Sequence, residues 1–105
     1  MQQQDPSLKD TILQTVALIP KGKVCTYGKV AEYAGARGRA RYVGTVLKQL
    51  PQGSKIPWHR VINSQGKISF PQGSDQYQAQ KDKLENEGIS FLGGKVRLSV
   101  HLWQP

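Results

Sequence analysis

At 105 residues and 37% hydrophobic content, the chain has material for one small core, which excludes two ordinary domains. Fifteen Lys and Arg against seven Asp and Glu leave a formal charge of +8, pointing to a polyanionic partner without separating nucleic acid from other polyanions. No run of 18 apolar residues exists for a transmembrane helix, and the lone Cys25 with the separated His59 and His101 makes neither a disulfide nor a zinc pattern. The opening Met1-Gln2-Gln3-Gln4-Asp5 lacks the basic and apolar parts of a signal peptide, so the expectation is a soluble, cytoplasmic single domain over residues 1–105, with no metal and no cofactor.

Asp5-Pro6 reads as a helix start, with Asp as the N-cap and Pro at the first helical position, followed by Leu8, Ile12, Val16 and Ile19 at helical spacing up to Pro20. After the basic turn Lys21-Gly22-Lys23, Val24-Cys25-Thr26 is a short extended piece leading to a second N-cap at Thr26. Tyr27 to Ala34 is the predicted second helix, closed by Gly35. A third runs from Ala40 to about Leu50, with Val43, Val46, Leu47 and Leu50 on one face and Arg41, Gly44, Thr45 and Lys48 on the other. Two short helices joined by a glycine-containing connection, the second basic outside, form a helix-turn-helix pattern. Any short helical pair with a solvated basic face has the same pattern, so both readings stand at this point.

Beyond the loop at Pro51-Gln52-Gly53-Ser54, residues Val61 to Ile68 are predicted to form a hairpin turning at Gln65-Gly66. The loop Phe70-Pro71-Gln72-Gly73-Ser74 precedes a polar helix from Asp75 to Glu87, with apolar surface from Tyr77, Ala79 and Leu84 and a stop at Gly88. Val96, Leu98, Val100 and Leu102 alternate with polar neighbours, which predicts a half-buried closing strand.

Several motifs stand in register across residues 8–92: Ile19-Pro20-Lys21-Gly22-Lys23-Val24, Thr26-Tyr27-Gly28, Ala40-Arg41-Tyr42-Val43-Gly44, Ile56-Pro57-Trp58-His59-Arg60-Val61 and Glu87-Gly88. In this order and spacing the chain resembles the DNA-binding domain of the O6-alkylguanine-DNA alkyltransferases, and in particular their non-enzymatic, alkyltransferase-like branch. The family motif has a cysteine between Pro and His; Trp58 stands there in this chain. An indole has an N–H donor and an aromatic face but no thiolate, so it cannot accept an alkyl group as that cysteine does. The resemblance implies a small, mostly helical α/β domain with a winged-helix-like helix-turn-helix and a short β-hairpin.

It further implies docking of the second helix of that unit in the minor groove, where sequence is read poorly. Arg41 matches the family's finger, which fills the stack when a nucleotide is rotated out. Thr26, Tyr27, Ala40, Arg41, Gly44, Thr45, Lys48 and Ser64 would contact DNA, with Lys21 and Lys23 as further phosphate contacts. Tyr27, Trp58, Val61, Gln72 and Gly73 would line a pocket for the flipped O6-alkylguanine. His59 and Glu87 match the pair that activates the cysteine and would persist as a vestigial hydrogen-bonded network. Plainer roles compete residue by residue: Arg41 as a solvated side chain, Tyr27 as core at helical spacing with Val30 and Ala34, Trp58 as filler of a disused site, Cys25 as structural.

Leu50-Pro51 departs from the Asn-Pro pair frequent in the family, and the Phe70 to Ser74 loop differs from the tyrosine-serine-glycine loop of many of its enzymes. The implied function is recognition of O6-alkylguanine in duplex DNA by a monomer that leaves the lesion intact and hands it to nucleotide excision repair proteins. Two other classes remain open. A transcriptional regulator would bind undamaged DNA through the same helices, and an enzyme would use Cys25, or His59 with Glu87.

Overall fold

The computed structural model describes residues 7–105. The first helix, α1, spans Leu8–Ala17 and starts from Ser7, whose hydroxyl accepts from the Asp10 amide at 3.1 Å. The cap is therefore Ser7 rather than the predicted Asp5; Asp5 and Pro6 lie outside the described residues. Ile12, Thr15 and Val16 form the buried stripe of α1, and the Thr15 hydroxyl turns back on the Thr11 carbonyl at 2.8 Å, satisfying its buried oxygen.

Strand β1, Cys25–Thr26, runs directly into helix α2, Tyr27–Tyr33, and helix α3 follows at Ala40–Lys48. A 3-10 turn, Trp58–Arg60, leads into strand β2, Val61–Ile62, which pairs parallel with β1 in the register Cys25 to Val61 and Thr26 to Ile62. Helix α4 spans Asp75–Asn86 and is capped by Ser74. Strands β3, Phe91–Leu92, and β4, Lys95–Val96, make an antiparallel hairpin, and helix α5, Leu98–His101, closes the chain. No helix among the described residues is long and apolar enough to cross a membrane.

The hairpin thus lies elsewhere than expected. Val61 and Ile62 bond to β1, and the chain after them is folded locally by Asn63, whose Oδ1 accepts from the Gln65 and Lys67 amides. Gly66 sits in that turn at a φ of +83°, where an added Cβ would lie 2.8 Å from the Val96 carbonyl oxygen. The actual hairpin turns at Gly93-Gly94, both at positive φ, as a two-residue reversal requires.

The predicted closing strand also fails as a continuous element. Val96 belongs to β4 and is held by its amide to the Gly66 carbonyl, while Leu102 forms a bridge with Val24 on the other edge of β1. The chain must cross from the hairpin to that edge, and the single turn of α5 makes the crossing with Val100 50% exposed. Alternation of residue type was present, but the backbone partner for an extended strand was not.

Burial follows the pleat. Cys25 and Val61 face a cluster built by Ile12, Val16 and Ile19 of the first helical segment with Val30 of α2 and Val43 and Val46 of α3. Val24 and Ile62 face the opposite way, into a second cluster with Leu84, Ile89 and Val96. The short parallel ribbon is therefore the wall between two cores, and the Trp58–Arg60 turn is fixed at its end.

Candidate nucleic-acid interface

The helix-turn-helix is present. Thr26 caps α2 through its hydroxyl, which accepts from the Lys29 amide at 3.1 Å. The connection to α3 is tied by the Ala36 amide on the Ala31 carbonyl at 2.8 Å. Helix α3 buries Val43 and Val46 and leaves Arg41, Thr45 and Lys48 exposed along its outer face, with Ala40 and Gly44 half-buried beside them. An exposed cation row flanked by residues with little or no side chain lets a polyanionic backbone approach α3 closely.

Behind α3 opens a cavity of about 270 Å³. Tyr27 of α2 and Gly44 and Leu47 of α3 form one wall, Trp58 and Phe70 the other, and Gln80 of α4 contributes as well. A Cβ built on Gly44 would rest 3.9 Å from the Tyr27 ring, so this glycine and the tyrosine are packed neighbours. Trp58 is presented by local chemistry. Pro57, with φ −78° and ψ 62°, forms an inverse γ-turn in which the Trp58 amide donates to the Ile56 carbonyl at 2.8 Å. The indole then stands edge-to-face with Phe70, centroids 6.3 Å apart. On its far side Trp58 also borders an open groove between the end of α3 and α4.

Under the same turn lies a closed polar network. The Glu87 carboxylate, at the C-cap of α4, receives His59 Nε2 at 2.7 Å and Arg60 at 2.9 Å through Nε and 2.8 Å through the terminal nitrogen. Arg60 also donates to the Ile19 carbonyl at 2.8 Å. Burial pushes the Glu87 carboxyl up, but the hydrogen bonds from Arg60, His59 and the Gly22 amide outweigh it and hold the group down to about 2. For His59, burial lowers the pKa below its ordinary 6.5 and prevails over the attraction of Glu87. The imidazole is thus neutral at pH 7, and since an ionised carboxylate only accepts, Nε2 carries the hydrogen.

Other expected site residues sit elsewhere. Val61 is a core residue, 1% exposed, and does not wall this cavity, because β2 turns its side chain into the helical cluster. Gln72 and Gly73 are exposed in the loop before α4, and Gln72 lines a separate depression with Tyr77 and Gly94. Thr26 is 8% exposed, its hydroxyl oxygen engaged in capping α2. Ser64 is exposed in the turn after β2, and the Lys23 ammonium is tied to the Val100 carbonyl at 3.3 Å. Cys25 is fully buried, and burial pushes its thiol up to about 11, the environment of a structural cysteine.

Two residues that sequence reasoning left without a role are structurally central. Arg60 lies inside the recognised motif but was given no partner. Gln80 is 2% exposed and shares the inner face of α4 with Leu84; a polar residue four positions from a buried leucine was the available signal.

Residues 7–89 match the family model described as the 6-O-methylguanine DNA methyltransferase, DNA binding domain. The chain belongs to that family. It is 55% identical to a DNA base-flipping protein of Vibrio parahaemolyticus serotype O3:K6 (strain AQ3810), over 90% of this chain and 93% of that one. It is 44% identical to alkyltransferase-like protein 1 of Schizosaccharomyces pombe, over 90% of this chain and 92% of the relative. Its fold superposes with a TM-score of 0.86 on the crystal structure of S. pombe Atl1 in complex with damaged DNA containing O6-carboxymethylguanine, at 41% identity over 93% of this chain and 95% of that chain. The fold class expected from the resemblance, a small, mostly helical α/β domain with a helix-turn-helix, is the one observed.

Proposed function

We propose that this chain is a DNA-damage recognition protein. It docks α3 in the minor groove, rotates an O6-alkylguanine out of the duplex with Arg41 filling the gap, and holds the base in the cavity behind α3 without removing the alkyl group. The observation that carries this reading is the juxtaposition of Tyr27, Gly44 and Trp58 around one cavity directly behind the exposed Arg41, Thr45 and Lys48 face. Trp58 and Tyr27 line the same cavity and offer aromatic surface to a planar base, and the apolar faces of Trp58 and Phe70 offer contact to an alkyl substituent. The damaged-DNA complex of the structural neighbour and the base-flipping names of the relatives support the same assignment.

Alkyl transfer is not part of the proposal. The position that would supply the thiolate is Trp58, and the one cysteine is sealed in the core. His59 and Glu87 satisfy each other and Arg60 and so act as structure. A bound but unrepaired lesion is useful when the complex recruits other factors, and we assign that role to nucleotide excision repair proteins acting on the DNA complex of a monomer.

The test is competition binding at one stated salt concentration, comparing a duplex with a single O6-methylguanine against the same duplex with guanine, followed by mass spectrometry of the recovered DNA. A preference of about tenfold, roughly 1.4 kcal/mol, with the alkyl group still on the base is the expected result. Equal binding would move the chain to the class of regulators of undamaged DNA, and loss of the alkyl group would make it an enzyme.

A further inference from the structure

The groove between the end of α3 and α4 has a volume of about 640 Å³ and lies apart from the outer face of α3. Leu47, Leu50 and Pro51 line one side, Trp58 and Phe70 another, and Ala79 contributes from α4. Leu47, Leu50 and Phe70 are half-buried, so this apolar surface keeps part of its area in water. A second, polar pocket of about 350 Å³ adjoins it along residues 54–60 and shares Ser54, Trp58 and Lys83 with it. Lys48, Lys55 and Lys83 are all exposed at these two openings. No Asp or Glu lines either one, and among the described residues none of the three lysines forms an ion pair. Apolar surface rimmed by polar groups is a common form of protein-binding site; here the rim is cationic and uncompensated.

We propose that this face docks a segment of another protein that combines acidic with large apolar side chains, the apolar ones entering the groove and the carboxylates meeting Lys55 and Lys83. The inference goes beyond lesion binding and rests on that reading only for where the DNA lies. Charge and polarity select the occupant. Phosphates would satisfy the lysines but gain nothing from an apolar floor, and Arg41 and Thr45, the residues assigned to DNA, line neither opening. A second copy of the chain brings a formal charge of +8 and only seven Asp and Glu, of which Glu87 is already held by His59 and Arg60, so like charge opposes it. An acidic and apolar segment is complementary to both parts of the face. Lys48 is the one residue common to the groove and the exposed row on α3, so the segment and DNA can be bound together. Trp58 lines both the groove and the cavity behind α3, which puts the docked segment against the residue that meets the base.

The experiment selects short random peptides displayed on phage against the full chain, once alone and once saturated with the O6-methylguanine duplex. Both selections should enrich peptides that carry carboxylates together with Leu, Phe or Trp. A synthetic copy of the most enriched peptide is then followed by fluorescence anisotropy at one stated salt concentration. Its affinity should fall about threefold for Lys55→Gln or Lys83→Gln and about tenfold for the two together. Ala79→Glu, at an exposed helical position, should weaken it by at least about tenfold. These variants should keep the wild-type melting midpoint and the wild-type ratio of binding to the O6-methylguanine and guanine duplexes. In NMR spectra the Trp58 indole N–H should shift with peptide, and that of Trp103, packed edge-on against Tyr33, should not. The proposal is overturned if neither selection enriches a pattern, if the enriched peptides lack carboxylates, if the duplex displaces the peptide, or if the variants leave its affinity unchanged. A dimer in analytical ultracentrifugation that Ala79→Glu dissociates would give the face to a second copy instead. A wild type with no preference for O6-methylguanine over guanine would sink the lesion-binding reading, a separately visible outcome that leaves the peptide results standing.

Discussion

Trp58 and Arg60 share one 3-10 turn yet inhabit opposite environments. On the Arg60 side the buried charges are paired: Glu87 takes His59, Arg60 and the Gly22 amide, and Arg60 also reaches the Ile19 carbonyl. On the Trp58 side the surfaces are open, with Tyr27, Phe70 and Gln80 around an empty volume. The paired side holds the turn; the open side has unused contacts to give. His59, Arg60 and Glu87 together fix the turn that presents Trp58.

The largest effect should come from breaking the paired side. Arg60→Ala leaves Glu87 half-buried without its strongest partner and should lower stability by about 3 kcal/mol in urea denaturation. Lesion preference should be retained by whatever fraction stays folded. Acid reaches the same network without mutation. Glu87 has a folded-state pKa of about 2, below its ordinary 4.5, so its contribution is complete above 4.5 and is lost as pH falls toward 2. His59 is likewise lowered from 6.5, so the unfolded chain takes up its proton first and stability begins to decline as pH drops below 6.5. His59→Gln should abolish that upper part of the decline and leave the Glu87 part; thermal melts at stepped pH would reveal it, and an unchanged profile would count against a neutral His59.

Breaking the open side should do the reverse. Arg41→Ala and Tyr27→Ala are each expected to reduce binding to the O6-methylguanine duplex about tenfold, roughly 1.4 kcal/mol, with a much smaller loss on undamaged DNA. Arg41 is exposed, so its removal should change the unfolding midpoint very little. Equal losses on both duplexes for Arg41→Ala would reduce it to a phosphate contact. The smallest effect is expected from Lys48→Ala, a few-fold weakening on both duplexes alike, with the slope of log affinity against log salt reduced by about one.

Much of this organisation was legible in the chain itself. The 3.6-residue spacing of Val43 and Val46, the Thr26 cap and the Gly35 stop all operate within a few residues, so the helix-turn-helix could be read locally. His59 and Glu87 were paired by family resemblance, and the structure joins them at 2.7 Å. What misled were segments whose structure depends on a distant partner. Val61 and Ile62 resembled one arm of a local hairpin, but their partner is β1, far upstream, and the same pairing turned Val61 into the core and away from the cavity. Alternation from Val96 to Leu102 resembled a strand, but the edge it needed was available only at Val24.

Composition, helical periodicity and cap chemistry determined a small basic domain with two adjoining helices, because those signals are local and each residue carries its own preference. Tertiary structure alone decided that one face of the Trp58–Arg60 turn carries the Glu87 network and another borders the aromatic cavity. That choice depends on α4 bringing Glu87 beneath the turn and Gln80 beside it, across chain separations over which no residue's preference acts.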